Sequence, residues 1–271
     1  GILGIDIRPE KTTIMLADLE MHAVAQESIP TGADPDRFIK RLCDRVRDLR
    51  AAHRKLSFEG IGVALPGRID LATNRLIFAP NLAWKGVDFK GPLEAATGLP
   101  VELENAANAC ALAEIWSGAH SESVRNLVTL TVSEGIGAGM ILNGQLVRGS
   151  TGLAGEFGHV TAVEDGPLCR CGNRGCLEAC ASNTAAVRYF TEFESAQSGN
   201  KSAAKPTFES ILKLADEGHQ NACKALDRMG FYLGVGVAMI VTGLAPDVIV
   251  VVGEVTRAWN RVGPIITDVV A

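Results

Sequence analysis

Apolar and polar positions alternate over residues 2–7 and 12–18, the period of half-buried strands, and Arg8-Pro9-Glu10 supplies a turn between them. A third strand is expected near 22–29. Asp34-Pro35 then offers a helix N-cap and a proline at the first helical position. Phe38, Ile39, Leu42, Cys43, Val46 and Leu49 recur on one face of the helix that follows, and the Arg and Asp residues of its other face read as solvated surface. Residues 58–65 form an apolar strand ending at Pro66-Gly67, and 75–78 a shorter one leading into Ala79-Pro80-Asn81-Leu82. A short helix near 91–97 precedes a strand from Pro100 to Leu103. Glu104-Asn105-Ala106-Ala107-Asn108 then opens a helix that reaches about Trp116.

The second half begins with a strand over Asn126–Val132, a Gly-rich turn and a strand over Gly139–Leu142. A segment rich in glycine and cysteine follows, then helices near 182–192, 206–216 and 218–243, a strand over Asp247–Val252, and a final helix from near Arg257. Residues 193–206 are polar and read as a mobile loop. Strand clusters alternating with helices predict an α/β architecture with two sheets. Ser117-Gly118-Ala119-His120-Ser121 interrupts the pattern, which sets an N-terminal lobe over 1–115 and a C-terminal lobe over 116–271. No internal repeat is found.

With 271 residues and 47% hydrophobic composition, the chain can bury one large core or two medium ones. A net charge of −5 lacks the basic footprint of a nucleic-acid surface. Gly1-Ile2-Leu3 runs directly into a strand pattern, unlike a signal peptide. The longest uncharged apolar run, Gly230 to Pro246, contains four glycines and falls short of the ~18–20 residues a membrane span needs, so a buried helix and a cytoplasmic protein without membrane partners are expected. The chain opens on Gly1 rather than methionine, and further sequence is expected before it and after Ala271.

Candidate chemistry concentrates between Gly155 and Glu178. His159, Cys169, Cys171 and Cys176 stand in the spacing His-x9-Cys-x-Cys-x4-Cys, with Gly166, Pro167, Gly172 and Gly175 bending the backbone between them. Three thiolates and an imidazole complete a closed tetrahedral shell, the usual form of a structural zinc site over segment 155–180. The competing readings are buried small hydrophobes or a disulfide. Bridging Cys169 to Cys171 across one residue is awkward, and disulfides are rare in cytosolic chains, so zinc is expected. Cys43, Cys110, Cys180 and Cys223 read as core. Glu156 and Glu178 lie outside the shell in sequence and need another role.

Gly155-Glu156-Phe157-Gly158-His159, the run Cys169-Arg170-Cys171-Gly172-Asn173-Arg174-Gly175-Cys176-Leu177-Glu178, and Glu104-Asn105-Ala106-Ala107-Asn108 resemble the ROK family of bacterial sugar kinases and sugar-responsive repressors. The likeness extends from Gly4 to about Gly253. It implies an actin-like ATPase (ribonuclease H-like) two-lobed fold, each lobe a mixed sheet flanked by helices, with a hexose or amino sugar bound in the cleft between lobes. It also implies sugar contacts by Gly67, Asn81, Asn105, Glu156, His159 and Glu178. Carboxylates and carboxamides can grip adjacent hydroxyl pairs, and an analogue missing one hydroxyl leaves a buried polar group unpaired. His159 can place one ring nitrogen on zinc and the other on the sugar, so the metal fixes its tautomer and direction. Glu178 could instead be an exposed helix carboxylate, and Asn105 a helix N-cap; Asn105 can serve both purposes.

Four departures from the family pattern shape the expected function. The kinases carry Glu-Asn-Asp-Ala-Asn, whose aspartate removes the proton from the sugar hydroxyl; here that position is Ala106. Losing a general base typically forfeits ~10²–10⁴ in rate. The first phosphate loop, Asp-x-Gly-Gly-Thr-Lys in the family, reads Asp6-Ile7-Arg8-Pro9-Glu10-Lys11, and proline offers no amide hydrogen to a phosphate. The second reads Ser133-Glu134-Gly135-Ile136-Gly137, and the late Gly-Gly reads Gly253-Glu254. The expected protein is therefore the sugar-binding effector domain of a ROK-type transcriptional regulator. It would have no enzymatic activity, no catalytic residue and no ATP, with zinc as a structural ion, and would form a homodimer or homotetramer. DNA would be held only by a winged helix-turn-helix upstream of these residues. Sugar binding would shift the angle between lobes through its differential affinity for two states. The alternatives are an ATP-dependent sugar kinase with an atypical base and nucleotide site, or a sugar-independent interaction module.

Overall fold

The computed structural model describes residues 1–70, 72–118, 124–198 and 206–271. They form two compact units, Gly1–Ala109 with Arg148–Leu153, and Cys110–Val147 with Ala154–Ala271. The helix Ala106–Ser117 contains both this boundary and the expected one at 115/116. Residues 119–121 of the expected interruption from Ser117 to Ser121 lie outside the described residues.

In the first unit β1 (Ile2–Ile7), β2 (Lys11–Ala17) and β3 (Ala23–Pro30) form an antiparallel meander. Helix α1 (Pro35–Ala52) follows, and the Asp34 side chain accepts from the Asp36 and Arg37 amides at 3.1 Å. Its buried face is the expected one, Phe38, Ile39, Leu42, Cys43, Val46 and Leu49. Strand β4 (Gly60–Leu65), two residues shorter at its start than predicted, pairs in parallel with β1. Short strands β5 (Arg68–Asp70), β6 (Arg75–Ala79) and β7 (Trp84–Val87) make a separate three-stranded sheet, of which only β6 was predicted. After α2 (Lys90–Thr97), strand β8 (Val101–Asn105) joins β4 in parallel and completes the order β3-β2-β1-β4-β8. The register sets Asn105 opposite Leu65, which brings the start of α3 (Ala106–Ser117) beside the turn after β4.

Trp84 fixes this unit's helical layer to its small sheet. Its ring lies 5.2 Å from Phe38 and 5.9 Å from Phe89 by centroid, and its indole N–H donates to the Ala33 carbonyl at 3.0 Å. The side chain is 1% exposed. Trp84→Ala should therefore cost about 3–5 kcal/mol, read as a lowered denaturant midpoint of unfolding.

The second unit's sheet, ordered β11-β10-β9-β12, joins β9 (Leu127–Val132), β10 (Ile136–Leu142) and β11 (Gln145–Leu146) antiparallel, with β12 (Val248–Val252) parallel to β9. Strand β10 starts at Ile136, inside the expected Gly-rich turn, and only Ser133 to Gly135 make the reversal. Helices α4 (Leu177–Ala181), α5 (Asn183–Ser198), α6 (Phe208–Asp216), α7 (Gln220–Leu244) and α8 (Trp259–Val270) cover it. The predicted loop at 193–206 is corrected over its first part, because α5 continues to Ser198 and the Glu194 carboxylate accepts from Asn221 of α7 at 2.8 Å. Residues 199–205 of that loop lie outside the described residues.

Helix α7 is 25 residues long and apolar enough by length and composition to cross a membrane. Half of its most apolar window is buried, with Ala225, Met229, Leu233, Val237 and Ile240 facing the core. Such burial accounts for its composition by packing.

Candidate functional site

The four metal-ligand candidates converge. The ligating atoms of His159, Cys169, Cys171 and Cys176 all lie within 4.8 Å of one another. Cys171 Sγ is 3.6 Å from Cys176 Sγ, and Cys169 Sγ is 3.7 Å from His159 Nδ1. A tetrahedral ion at ~2.3 Å from sulfur and ~2.0 Å from nitrogen has edges of roughly 3.5–3.8 Å, so these separations fit a common ion and exceed the ~2.05 Å of a disulfide. All seven cysteines are free.

Local backbone builds the knuckle. Cys169 N–H donates to the Asn173 carbonyl at 2.8 Å and Gly172 N–H to the Cys169 carbonyl at 3.0 Å. Single bridges join Thr161 to Cys176 and Leu168 to Arg174. His159 sits on a 3-10 turn, Phe157–His159, laid against β10. That contact requires glycine, since a Cβ on Gly155 would strike the Ala138 carbonyl and one on Gly158 the Ile136 carbonyl. Burial pushes the Cys169 thiol up to about 12 and raises Cys176 as well. Without a cation these thiols keep their protons, and metal uptake must expel them.

The carboxylates flank this cluster. His159 Nε2 faces Glu156 Oε2 at 3.7 Å while Nδ1 faces the thiols, so the imidazole lies between the knuckle and Glu156. Desolvation raises the Glu156 carboxyl above its ordinary value, His159 opposes this and Glu178 adds to it. A side chain 48% exposed limits that shift. Glu178 is not a free helix carboxylate. Its Oε2 accepts from the Ile136 N–H at 3.0 Å, and its Oε1 lies 3.8 Å from Cys169 Sγ.

Three further predicted site residues gather in the first unit around the turn after β4. Gly67 packs against Ala79, two residues before the half-buried Asn81, and its carbonyl accepts from Asn105 Nδ2 at 2.9 Å. Asn105 Oδ1 accepts from the Ala107 and Asn108 amides at 2.9 and 3.4 Å, so Asn105 does cap α3. The cap leaves one Nδ2 hydrogen for a ligand.

Sequence reasoning missed the group behind this cap. Glu104 Oε1 accepts from Asn105 N–H at 2.9 Å and Asn108 Nδ2 at 3.0 Å, while Oε2 takes Arg148 Nε at 3.1 Å and Nη2 at 2.5 Å. The signal available was Glu104 itself, an acid immediately before a capping asparagine. Its partner lies 44 residues away, beyond local inference.

The segments expected as phosphate loops are held by bonds within themselves and to residues distant in sequence, Thr31 N–H donating to the Glu10 carbonyl and Asn183 N–H to the Ser133 carbonyl. Arg8 N–H donates to the Lys11 carbonyl at 3.2 Å, and the Arg8 side chain pairs with Asp6 at 2.9 Å. Ser133 N–H donates to the Gly135 carbonyl at 2.9 Å, and Glu254 accepts from Asn183 Nδ2 at 3.0 Å.

Comparison with known proteins supplies what single residues cannot. Residues 2–269 match the model of the ROK family. A glucokinase of Halalkalibacterium halodurans is 32% identical over 95% of this chain and 81% of its own. A xylose repressor of Bacillus subtilis is 37% identical over 96% of this chain, which spans 66% of the repressor's length. Among solved structures, a ROK glucokinase from Streptomyces griseus in complex with glucose and AMPPNP superposes with a TM-score of 0.89, at 27% identity, over 99% of this chain and 89% of its own.

These likenesses overturn the expectation of no enzymatic activity. Glucokinases match nearly the whole chain, and the S. griseus enzyme carries an ATP analogue on the same fold. The expectation that ATP plays no part loses its ground with it. Ala106, Glu10, Glu134 and Glu254 change individual side chains, and the fold around them is retained.

Proposed function

The chain belongs to the ROK family, and from that membership we propose that it binds a monosaccharide and transfers a phosphoryl group to it from ATP. The actin-like α/β fold, with helices flanking a mixed sheet in each unit, is the family's. The observation that carries the reading is the 0.89 TM-score against a glucokinase holding glucose and AMPPNP. Sugar recognition is assigned to Gly67, Asn81, Asn105, Glu156, His159 and Glu178. Asn105 would donate its remaining N–H to a hydroxyl oxygen. Glu156 and Glu178 would accept from hydroxyls, since a carboxylate offers about four lone-pair sites and Glu178 uses one on Ile136. The proton of the acceptor hydroxyl must leave through a group other than residue 106.

Zinc is the proposed ion of the Cys169, Cys171, Cys176 and His159 cluster. With four protein ligands it leaves no open position, so it supplies a fixed scaffold rather than a Lewis acid. It would hold the His159 ring toward Glu156 and stiffen the loop that leads to Glu178.

A second reading, the sugar-responsive effector domain of a transcriptional regulator, is favoured by Ala106 together with Glu10, Glu134 and Glu254. The xylose repressor likeness supports it. In that reading DNA is contacted by a segment outside these residues and the protein works as a homodimer or homotetramer. Incubation with ATP–Mg²⁺ and a panel of glucose, xylose and N-acetylhexosamines separates the two. Sugar phosphate formed at several turnovers per chain supports the kinase; saturable sugar binding without it supports the effector domain.

A further inference from the structure

We propose that Arg148 is a positioning residue for sugar recognition, acting through Glu104 on the amide of Asn105. The inference rests on the reading of Asn105 as a sugar contact, and its geometry lies wholly within the first unit. Residues Arg148–Leu153 return to that unit although the sequence on both sides belongs to the other. Two contacts hold the return. The Arg148 guanidinium grips Glu104 Oε2 through Nε and Nη2, and Arg68 Nε donates to the Thr151 carbonyl at 3.2 Å.

Glu104 passes the constraint on. Both of its oxygens are used, Oε2 by Arg148 and Oε1 by the Asn105 N–H and Asn108 Nδ2. Asn108 is 8% exposed, and the Glu104 side chain is 20% exposed. Asn105 in turn spends Oδ1 on the α3 cap and one Nδ2 hydrogen on Gly67. The second Nδ2 hydrogen therefore has its direction set by Gly67 on one side and the cap on the other. One edge of the guanidinium places two N–H groups on Oε2 alone and leaves Oε1 to Asn105 and Asn108; a lysine ammonium keeps the charge but not this fixed, planar pair of donors. Loss of Arg148 would leave a partly buried carboxylate short of donors, and the donors it still holds are the Asn105 N–H and Asn108 Nδ2.

The test compares Arg148→Ala, Arg148→Lys and Glu104→Gln with the wild-type chain. Calorimetry against glucose, xylose and N-acetylglucosamine should show Arg148→Ala weakening the bound sugar by roughly tenfold or more, as losses of orienting partners do, with Arg148→Lys recovering part. Metal content should stay near wild type, and the affinity loss should persist at temperatures where the variant is fully folded, which a lowered stability alone would not produce. Backbone hydrogen exchange without sugar gives a second readout, with Ala107 and Asn108 losing protection in Arg148→Ala while β9 and β10 keep theirs. Glu104→Gln keeps an acceptor for Asn105 and should fall between, which serves if Arg148→Ala fails to fold. Wild-type affinity together with wild-type exchange in the variants would overturn the proposal. If the wild-type chain binds no sugar, the sugar reading fails on its own, and unchanged exchange at Ala107 and Asn108 still decides against Arg148.

Discussion

Ala106→Asp should raise ATP-dependent sugar phosphorylation by ~10²–10⁴-fold, the usual worth of a positioned general base, or about 3–5 kcal/mol of barrier. Residue 106 is the first of α3 and directly follows the Asn105 cap. A carboxylate in the first helical turn gains ~0.3–1 kcal/mol from the exposed amides there, so the fold should accept the change. Ala106→Asn has the same size without a titratable group and should leave the rate where it is. Coupled measurement of sugar phosphate across the three proteins checks this. Equal rates for Asp and Asn would mean that position 106 does not serve the acceptor hydroxyl. A high wild-type rate that Asp barely changes would point to a base elsewhere in the site.

Replacing Cys176 by serine should empty the metal cluster and weaken sugar binding by ~100-fold or more, since ligands of structural zinc contribute to folding outright. Cys176 is fully buried, stands 3.6 Å from Cys171, and directly precedes α4, which carries Glu178. Its loss therefore reaches both the ion and the carboxylate. Elemental analysis should find about one zinc per wild-type chain and a small fraction of that in the variant. Extended chelation of the wild-type protein should reproduce the variant's affinity, and readdition of zinc should restore it. A variant that loses metal but keeps its sugar affinity would separate the knuckle from recognition.

Local signals were legible wherever one short stretch carried the whole cause. Asp34-Pro35 and the spacing from Phe38 to Leu49 define α1 unaided. The Cys and His spacing predicts a cluster that the fold does assemble. What stayed hidden depends on partners distant in sequence. Strands β5 and β7 cover only Arg68–Asp70 and Trp84–Val87, and a register shift between Arg68 and Ile69 blurs the alternation. The polar run after Glu192 stays helical because Glu194 finds Asn221 on another helix. The role of Glu104 emerges only once Arg148 is brought back to it. The departures from the family motifs misled over ATP for a related reason, since Ala106, Glu10, Glu134 and Glu254 alter side chains on a framework whose fold still matches a nucleotide-bound kinase.

Sugar binding is the claim on which both functional readings depend, and calorimetric titration of the zinc-replete chain with glucose, xylose and N-acetylglucosamine tests it most directly. Saturable binding of at least one of them near one site per chain, lost on removal of the metal, is the predicted result. No saturable binding of any of the three up to about 10 mM, weaker than ~3 kcal/mol of binding free energy, would contradict it.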